Sequence, residues 1–377
     1  MLALPKREKV NPWSLYEPRN ASKTRRSRWV DYLLSSKQSV AIEALQSVAE
    51  LKLDLDSDYL DFYDPPMDLI GKQKLLKEVQ GVRPHKAVDF LLLDAAAIAH
   101  AHFFSTRDPV GTDGNVPANG ILGFYITAQR LIARFKPSRI IVAFDGRKLA
   151  RAEIYQGYQS RWRRFNPELR RQVGLIAPLS LKLGWHVCVS DRHETIDLAA
   201  SARRQCLLDE SSMIFVTQDK RAVMLLDKNV GVSMRSHVIW DLVTHLDVME
   251  EFGVLPSKVA DVIALSGEGN VPGIFRLGRK TAANLVNEYG SAERLYENLK
   301  SLPERLREKL ETQKAAFELG RTLTRLDDSA PIDLAKISLE HRGFDREGVE
   351  PFCTMHKLGN LLKRIDADFP LELFPEL

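Results

Sequence analysis

The sequence predicts an α/β protein with a parallel β-sheet, preceded by a helical extension and followed by a helical region. Three apolar runs each lead into an aspartate: residues 90–93 before Asp94, residues 140–144 before Asp145 and residues 213–216 before Asp219. Stretches long enough for helices separate these runs, a pattern typical of βαβ crossovers in a parallel sheet. Beyond Thr244 the pattern is helical almost to the end.

The chain divides into three regions by pattern. Residues 1–85 form a basic, partly helical N-terminal extension, with helices expected over residues 31–54 and 69–79. Residues 86–243 carry the alternating elements, namely the three strands above, helices over 121–135, 167–183 and 194–208, a strand over 185–189 and an edge hairpin of 230–234 and 237–240. Residues 244–377 form the helical region.

Composition limits the classes of protein that the chain can belong to. Its 377 residues are 44% hydrophobic and 28% charged, as expected for a globular protein with one large core and a smaller one. No apolar run approaches the roughly 18 to 20 residues of a membrane-spanning helix, so we expect no membrane partner. The three cysteines, Cys188, Cys206 and Cys353, lack CxxC spacing. This indicates buried thiols in a reducing intracellular compartment, either cytoplasm and nucleoid or an organelle matrix.

The first thirty residues are basic and contain Trp13, Tyr16 and Trp29. Cations interleaved with aromatic rings can lie along a nucleic-acid backbone. A solvated tail explains the same composition equally well, and so does an organelle-targeting presequence. The sequence leaves these three interpretations open.

The three strand-end aspartates are expected to meet, because the carboxyl ends of parallel strands face one crevice. Glu194 and Asp197 lie three residues apart on a predicted helix and therefore share a face. Convergent carboxylates are the oxygen ligands that Mg²⁺ prefers. Taken singly, each acid is better explained as a helix cap or a solvated carboxylate.

Eight pieces of sequence, spread from residue 88 to residue 365, match one family in order and spacing. They are LLLDAAAIAHAHF, GILGFYITAQRLIARFKPSRIIVAFDG, IYQGYQSRWRR, HETIDLAA, VTQDKRAV, ALSGEGNVPG, LGRKTAANLVNEYGS and LPERLREKLETQKAAFELGRTLTRL. The chain resembles the 5′-nuclease superfamily, and within it the bacterial and phage branch that includes the 5′-exonuclease domain of DNA polymerase I.

The resemblance implies a PIN-like 5′-nuclease core and a C-terminal helix-hairpin-helix region. It also implies an acid cluster that holds two divalent cations about 3.5 to 4 Å apart for phosphodiester hydrolysis. The residues that match the family's metal positions are Asp94, Asp145, Glu194, Asp197 and Asp219, and Glu268 is the only acid in a shortened loop that normally supplies further ligands.

Several positions depart from that pattern. Ile196 and Arg221 stand where the family has acids, Gly269 lies in the shortened loop, and Gln159 follows Tyr158 where the family has a lysine. A guanidinium is always charged and pairs with carboxylates, so we expect Arg221 to take the place of the second cation. At most one Mg²⁺ then remains. A hydrolase with ligands re-sited to Glu268, Asp227 or His193 stays open as the alternative.

Two stretches carry the residue types that nucleic-acid binding needs. The first has cations and rings suited to a single-strand channel: Arg147, Arg151, Tyr155, Tyr158, Arg161, Arg163 and Arg164. The second resembles the helix-hairpin-helix motif through Gly278, Arg279, Lys280 and Thr281. Arg276 replaces the first hairpin glycine of that motif, which leaves the tight turn an open question.

The resemblance and the departures together lead to one expected function and two alternatives. We expect a protein that binds 5′-ended, flapped or branched DNA, or RNA-primed duplex, through contacts that do not depend on base sequence, with degenerate metal-dependent phosphodiesterase activity. One alternative is an active 5′-3′ exonuclease or flap endonuclease of replication or repair. The other is a pseudonuclease scaffold inside a larger nucleoprotein complex, docked through its N-terminal extension.

Overall fold

The computed structural model describes residues 87–104, 111–112, 116–158, 166–236, 239–340 and 343–369, all within one compact unit, Glu78–Leu377. The helices expected over 31–54 and 69–79 lie outside the described residues. So do Gln159, Arg161, Arg163 and Arg164. Among the described residues, no helix combines the length and the apolar composition needed to cross a membrane.

The main sheet has six strands in the order β5-β4-β1-β6-β7-β8 and is parallel except for the antiparallel pair β7 and β8. The strands are β1 (Phe90–Asp94), β2 (Gly111–Thr112), β3 (Val116–Pro117), β4 (Arg139–Phe144), β5 (His186–Val189), β6 (Met213–Val216), β7 (Val230–Ser236) and β8 (Ile239–Leu242). Strands β2 and β3 pair separately. The predicted parallel sheet and its edge hairpin are confirmed.

Helices connect the strands and form the rest of the chain. In chain order they are α1 (Ala95–Phe103), α2 (Asn119–Phe135), α3 (Ala150–Ile154), α4 (Pro167–Lys182), α5 (Thr195–Asp209), α6 (His245–Phe252), α7 (Val259–Ser266), α8 (Arg279–Tyr289), α9 (Ala292–Glu297), α10 (Glu304–Thr312), α11 (Lys314–Thr324), α12 (Leu334–Leu339), α13 (Arg346–Met355) and α14 (Gly359–Asp368). Short 3₁₀ helices span Lys220–Leu225, Pro256–Lys258 and Leu299–Ser301. The helical region predicted beyond Thr244 is confirmed.

The sheet is buried on both faces, which explains its nearly continuous apolar strands. Alternate residues of a strand point to opposite sides. Leu91 and Leu93 of β1 pack in the core that α2 and α4 cover, whereas Leu92 packs in the core that α5 and α12 cover. A third core belongs to the helical region and includes Tyr158.

The register of the strands determines where the three strand-end aspartates lie. Leu93 of β1 lies opposite Val142 of β4 and Val216 of β6, so these three strands reach their carboxyl ends together. The aspartates that follow therefore emerge at one edge of the sheet, as predicted.

Close packing of α11 on α7 depends on Gly320. A Cβ added there would lie 2.7 Å from the carbonyl oxygen of Ala264 and 2.8 Å from that of Pro272. Both neighbours are backbone atoms, so a side chain at position 320 fits only if the helices move apart. Gly174 offers a contrast, because it is exposed within α4 and a Cβ there would meet no atom within 4 Å.

We predict that Gly320→Ala lowers the free energy of unfolding by roughly 1 to 3 kcal/mol, the usual cost of overpacking. Gly174→Ala is the control and should raise it by roughly 0.5 to 1 kcal/mol, because alanine loses less backbone entropy in a helix. Urea denaturation of both variants measures the two effects. A Gly320→Ala protein at least as stable as wild type would disprove the close helix approach.

Candidate functional site

A cavity of about 510 Å³ opens at the carboxyl ends of β1 and β6. Its walls come from α1, the segment around Tyr158, the start of α5, the 3₁₀ helix Lys220–Leu225 and the loop between α7 and α8. The charged and phenolic residues that line it are Tyr158, Glu194, Asp219, Lys220, Arg221 and Glu268. Three of these, Glu194, Asp219 and Glu268, are predicted metal ligands. A fourth, Arg221, is the residue expected to take the place of the second cation.

Arg221 lies at the centre of this cavity wall. Asp219 caps the 3₁₀ helix by accepting the Arg221 backbone N–H at 3.0 Å, which turns the Arg221 side chain back toward the cavity. The guanidinium Nη2 is 2.7 Å from Asp219 Oδ2 and 3.2 Å from Glu194 Oε1. Only 6% of the residue is exposed. The structure therefore places Arg221 between two predicted metal ligands, as the sequence led us to expect.

Arg151 neutralises the neighbouring pair of acids. Its Nη1 is 2.7 Å from Glu194 Oε2 and 2.6 Å from Asp197 Oδ2. Its Nη2 donates to Asp197 Oδ1 at 2.7 Å. The residue is only 8% exposed, so the nucleic-acid contact assigned to it from the sequence stays a prediction that requires these ion pairs to break. A guanidinium that carboxylates bind on both sides has no free face for a phosphate.

In the sequence, Arg151 belongs to the same basic stretch as Arg147, Arg161, Arg163 and Arg164. One signal separates it from them, because Arg151 lies between Ala150 and Ala152, whereas most of the others stand in adjacent basic pairs. An isolated arginine among small apolar residues favours burial with a carboxylate partner.

Tyr158 joins the two guanidiniums through Glu194. Its hydroxyl donates to Glu194 Oε2 at 2.7 Å and accepts from Arg221 Nη1 at 2.9 Å. The side chain is 3% exposed and packs in the helical core, so its predicted role as a stacking surface stays a prediction that requires Tyr158 to leave this core. Tyr155 is half-buried against the same core, while Arg147 is exposed.

The pKa values of these groups reflect burial beside opposite charges. Burial alone would lower the pKa of the Arg221 guanidinium, but the charges of Asp219 and Glu194 outweigh it and hold that pKa well above its ordinary value. The pKa of Arg151 is raised in the same way, against burial, by Asp197 and Glu194. Burial raises the pKa of the Tyr158 hydroxyl, so it stays protonated as a donor. All three groups keep their protons across the physiological range.

Asp94 and Asp145 accept hydrogen bonds from backbone N–H groups and threonine hydroxyls at the strand ends. Asp94 Oδ1 caps α1 by accepting from the Ala97 backbone N–H at 3.0 Å, and its Oδ2 accepts from the Thr217 hydroxyl at 2.7 Å. Asp145 Oδ1 accepts from the backbone N–H and the hydroxyl of Thr195 at 2.9 and 2.8 Å. Both aspartates therefore serve in local structure at the strand ends.

A third arginine engages the remaining predicted ligand. Arg279 contacts Glu268 with one terminal nitrogen and Glu251 with the other, and its guanidinium carbon lies 4.8 Å from the centroid of the Phe252 ring. The Arg279 side chain is 30% exposed beside these two acids, and its assignment as a phosphate contact stays a prediction. Lys280 and Thr281 remain exposed on the first turn of α8.

The arrangement as it stands does not fit a bound divalent cation. Of the six predicted ligands, Glu194, Asp197, Asp219 and Glu268 are paired with arginines. Across the described part of the chain, no group of three or more acids, histidines or cysteines is placed to hold a metal ion. Ile196 is 1% exposed in the core, and Gly269 is exposed without a side chain. Metal ligation by these acids stays a prediction that requires the ion pairs to break.

The hairpin between α7 and α8 keeps its tight turn despite Arg276. The Leu277 backbone N–H donates to the Ile274 carbonyl at 3.0 Å and closes a four-residue turn. Arg276 occupies the third position with φ of +60°, in the left-handed region that favours glycine. Gly278 is exposed and caps α8 at its N-terminus. The hairpin turn of the motif therefore forms, and the left-handed backbone of Arg276 costs about 1 to 2 kcal/mol.

Two family models match consecutive parts of the chain. One is described as the N-terminal resolvase-like domain of 5'-3' exonuclease and matches residues 89–253; the other is described as its C-terminal SAM fold and matches residues 254–347. The chain belongs to the 5'-3' exonuclease family. The sheet with its carboxylate edge is the resolvase-like domain, and the hairpin lies in the C-terminal one.

Curated relatives of this 5'-3' exonuclease family member are much longer than the chain. DNA polymerase I of Streptococcus pneumoniae serotype 4 is 30% identical over 271 residues, which are 70% of this chain and 31% of the relative. DNA polymerase I of Caldicellulosiruptor bescii is 27% identical over 282 residues, 73% of this chain and 33% of the relative. The chain spans about a third of the length of these relatives.

Solved structures share the 5'-3' exonuclease fold. A bacteriophage T5 flap endonuclease, in a complex with DNA and metal ions, has a TM-score of 0.53 at 16% identity and covers 66% of this chain and 96% of its own. A T5 5'-exonuclease with zinc bound has a TM-score of 0.52 at 15% identity, covering 71% and 98%. The catalytic core of Rad2 in complex with DNA substrate has a TM-score of 0.50 at 13% identity, covering 78% and 98%. The predicted 5′-nuclease fold is confirmed.

We predict that Arg221→Ala lowers the free energy of unfolding by roughly 3 to 5 kcal/mol, because it removes the guanidinium paired with Asp219 and one of the two paired with the buried Glu194. Excess Mg²⁺ should restore part of this loss by binding the folded state, and should change wild type little. Thermal denaturation with and without Mg²⁺ measures both effects.

The matched control is Arg192→Ala, which removes an exposed arginine paired with Glu153 at 2.8 Å. Exposed pairs contribute little, so its stability should stay near that of wild type with or without Mg²⁺. Equal stability of the Arg221→Ala and Arg192→Ala proteins would show that the Arg221 ion pairs do not hold the site together.

Proposed function

We propose that this protein binds 5′-ended, flapped or branched DNA, or RNA-primed duplex, and that its phosphodiesterase activity is degenerate. The observation that carries the proposal is the pairing of Arg221 and Arg151 with Asp219, Glu194 and Asp197. Carboxylate oxygens that accept from guanidiniums are not available to a cation.

Phosphodiester hydrolysis of the kind that the family resemblance implies needs those carboxylate oxygens as metal ligands. Two divalent cations would supply an activated water and stabilise the leaving oxygen of a phosphodiester. In this chain, the carboxylates point at fixed positive charges that never lose their protons. Displacing Arg221 and Arg151 would leave two guanidiniums buried without partners, which is costly. The acid cluster therefore supports structure in place of catalysis.

Support for nucleic-acid binding comes from the exposed hairpin and from the neighbours. Two of the three structural neighbours named above are complexes with DNA, namely the T5 flap endonuclease and the catalytic core of Rad2. On this chain, Gly278, Lys280 and Thr281 are exposed at the start of α8, where backbone N–H groups and a cation can face a phosphate. Contacts of this type read the shape of a duplex and not its sequence.

An active 5′-3′ exonuclease or flap endonuclease is the second candidate. It is favoured by the family membership and by the survival of Asp94 and Asp145 at the strand ends. Binding of substrate would then have to move Arg221 and Arg151 off the acids and admit Mg²⁺. A turnover assay separates the two candidates.

We predict that the purified protein cleaves 5′-flap DNA and RNA-primed duplex in Mg²⁺ or Mn²⁺ at least about a hundredfold more slowly than a DNA polymerase I 5′-nuclease assayed beside it. Such a loss corresponds to about 2.7 kcal/mol of transition-state stabilisation. Asp94→Ala serves as the control for a contaminating nuclease, because it should leave any contaminating activity unchanged. Fast cleavage that Asp94→Ala abolishes would reject the degenerate site and establish the active enzyme.

We predict that affinity for 5′-flap DNA falls steeply with salt, because phosphate contacts release counterions. Lys280→Ala should weaken binding regardless of sequence and reduce the slope of log K against log salt by about one. Lys363→Ala, at an exposed lysine of α14 in the other half of the fold, is the control and should leave the slope unchanged. Identical slopes for both variants would show that the hairpin does not contact the backbone.

A further inference from the structure

The hairpin turn presents an aromatic ring and a cation side by side to solvent. Phe275 is 68% exposed, and the Arg276 guanidinium carbon lies 5.0 Å from the centroid of its ring. Both residues occupy the central positions of the turn that Ile274 and Leu277 close. We call this pair, Phe275 and Arg276, the hairpin tip.

The tip is held outward by its surroundings. Ile274 and Leu277 on either side are 2% and 4% exposed and pack in the helical core, so the two residues between them project away from it. The Phe275 backbone N–H donates to Gln313 Oε1 at 2.7 Å, and Lys309 Nζ donates to the Arg276 carbonyl at 3.3 Å. These two contacts hold the backbone of the turn in place.

Two adjacent features of the tip are locally unfavourable. Arg276 adopts a left-handed backbone that glycine would adopt more easily, and a large aromatic ring remains in water. Single exposed apolar side chains are common, and Leu339 at 82% exposure is one of them. The tip differs from Leu339 because its backbone is hydrogen-bonded in place and its ring is paired with a cation.

The positive charges around the hairpin tip indicate which class of molecule it binds. Arg276 and Lys280 are exposed cations, and Lys309 lies against the backbone of the tip. A flat π face beside several cations matches a nucleic acid, which offers bases for stacking and phosphates for the cations. A neutral protein surface would match the ring but not the charges.

We propose that the hairpin tip is a stacking wedge, in which the Phe275 ring stacks on a base exposed at the junction or end of a duplex while Arg276 and Lys280 hold the flanking phosphates. This inference rests on the proposed function and names the structural feature of DNA that the protein selects. A wedge gains most where stacking is already interrupted, because an intact step must first be unstacked at a cost.

The experiment uses the full chain and a 5′-flap DNA that carries 2-aminopurine at the junction, whose fluorescence reports stacking. Phe275→Ala should weaken binding roughly 5- to 100-fold, the range expected for loss of one stacked base, and should abolish the fluorescence change. The salt slope should stay at the wild-type value, because no charge is removed. Phe275→Tyr retains a ring and should restore both affinity and fluorescence change.

Two controls keep the outcomes distinct. Leu339→Ala removes another exposed apolar side chain and should leave DNA binding unchanged. Lys280→Ala should lower the salt slope and keep the fluorescence change. If wild type binds the flap DNA and Phe275→Ala binds it equally with the full fluorescence change, the wedge is rejected while the proposed function stands, and the tip then serves another class of partner. If wild type binds no DNA, the proposed function is rejected and the wedge with it.

Discussion

Three carboxylates held within a few ångströms of one another need positive charge between them, and the fold depends on how this need is met. Parallel strands ending together bring Asp219 to the cavity, and the start of α5 brings Glu194 and Asp197. Without a counter-charge these carboxylates would repel one another. Arg221 and Arg151 supply the charge from within the chain, with Tyr158 filling the remaining hydrogen-bond positions.

Arg151 and Asp197 also connect the sheet domain to the helical region. Arg151 Nε donates to the Leu323 carbonyl at 2.9 Å and its Nη2 to the Arg325 carbonyl at 2.6 Å, which satisfies acceptors at the end of α11. Asp197 Oδ1 also accepts from the Asp327 backbone N–H at 3.0 Å. The acid cluster is therefore the point where the two parts of the 5'-3' exonuclease fold meet. The acids that match the family's metal positions in the sequence therefore connect the two parts of this fold.

Much of the fold could be predicted from the sequence, because long apolar strands and helix-length spacers are local patterns with few alternatives. The position of Arg221 beside Asp219 could be predicted too, since two residues of separation at a strand end leave little freedom. Arg151 and Arg279 could not. Arg151 is 43 residues from Glu194, and Arg279 is 28 residues from Glu251 and 11 from Glu268, so only packing decides which cation reaches which acid. The tight turn at Arg276 could not be predicted from the sequence either. The strain of its left-handed backbone is offset by the hydrogen bonds that the turn makes with Lys309 of α10 and with the adjoining Gln313.

Arginine neutralisation of the acid cluster is tested most directly by an experimental structure of crystals soaked in Mn²⁺, with anomalous scattering used to locate the ion. The result we predict is continuous density for the Arg221 guanidinium between Asp219 and Glu194, with no anomalous peak between them. An anomalous peak bridging Asp219 and Glu194, with Arg221 displaced from both, would contradict it.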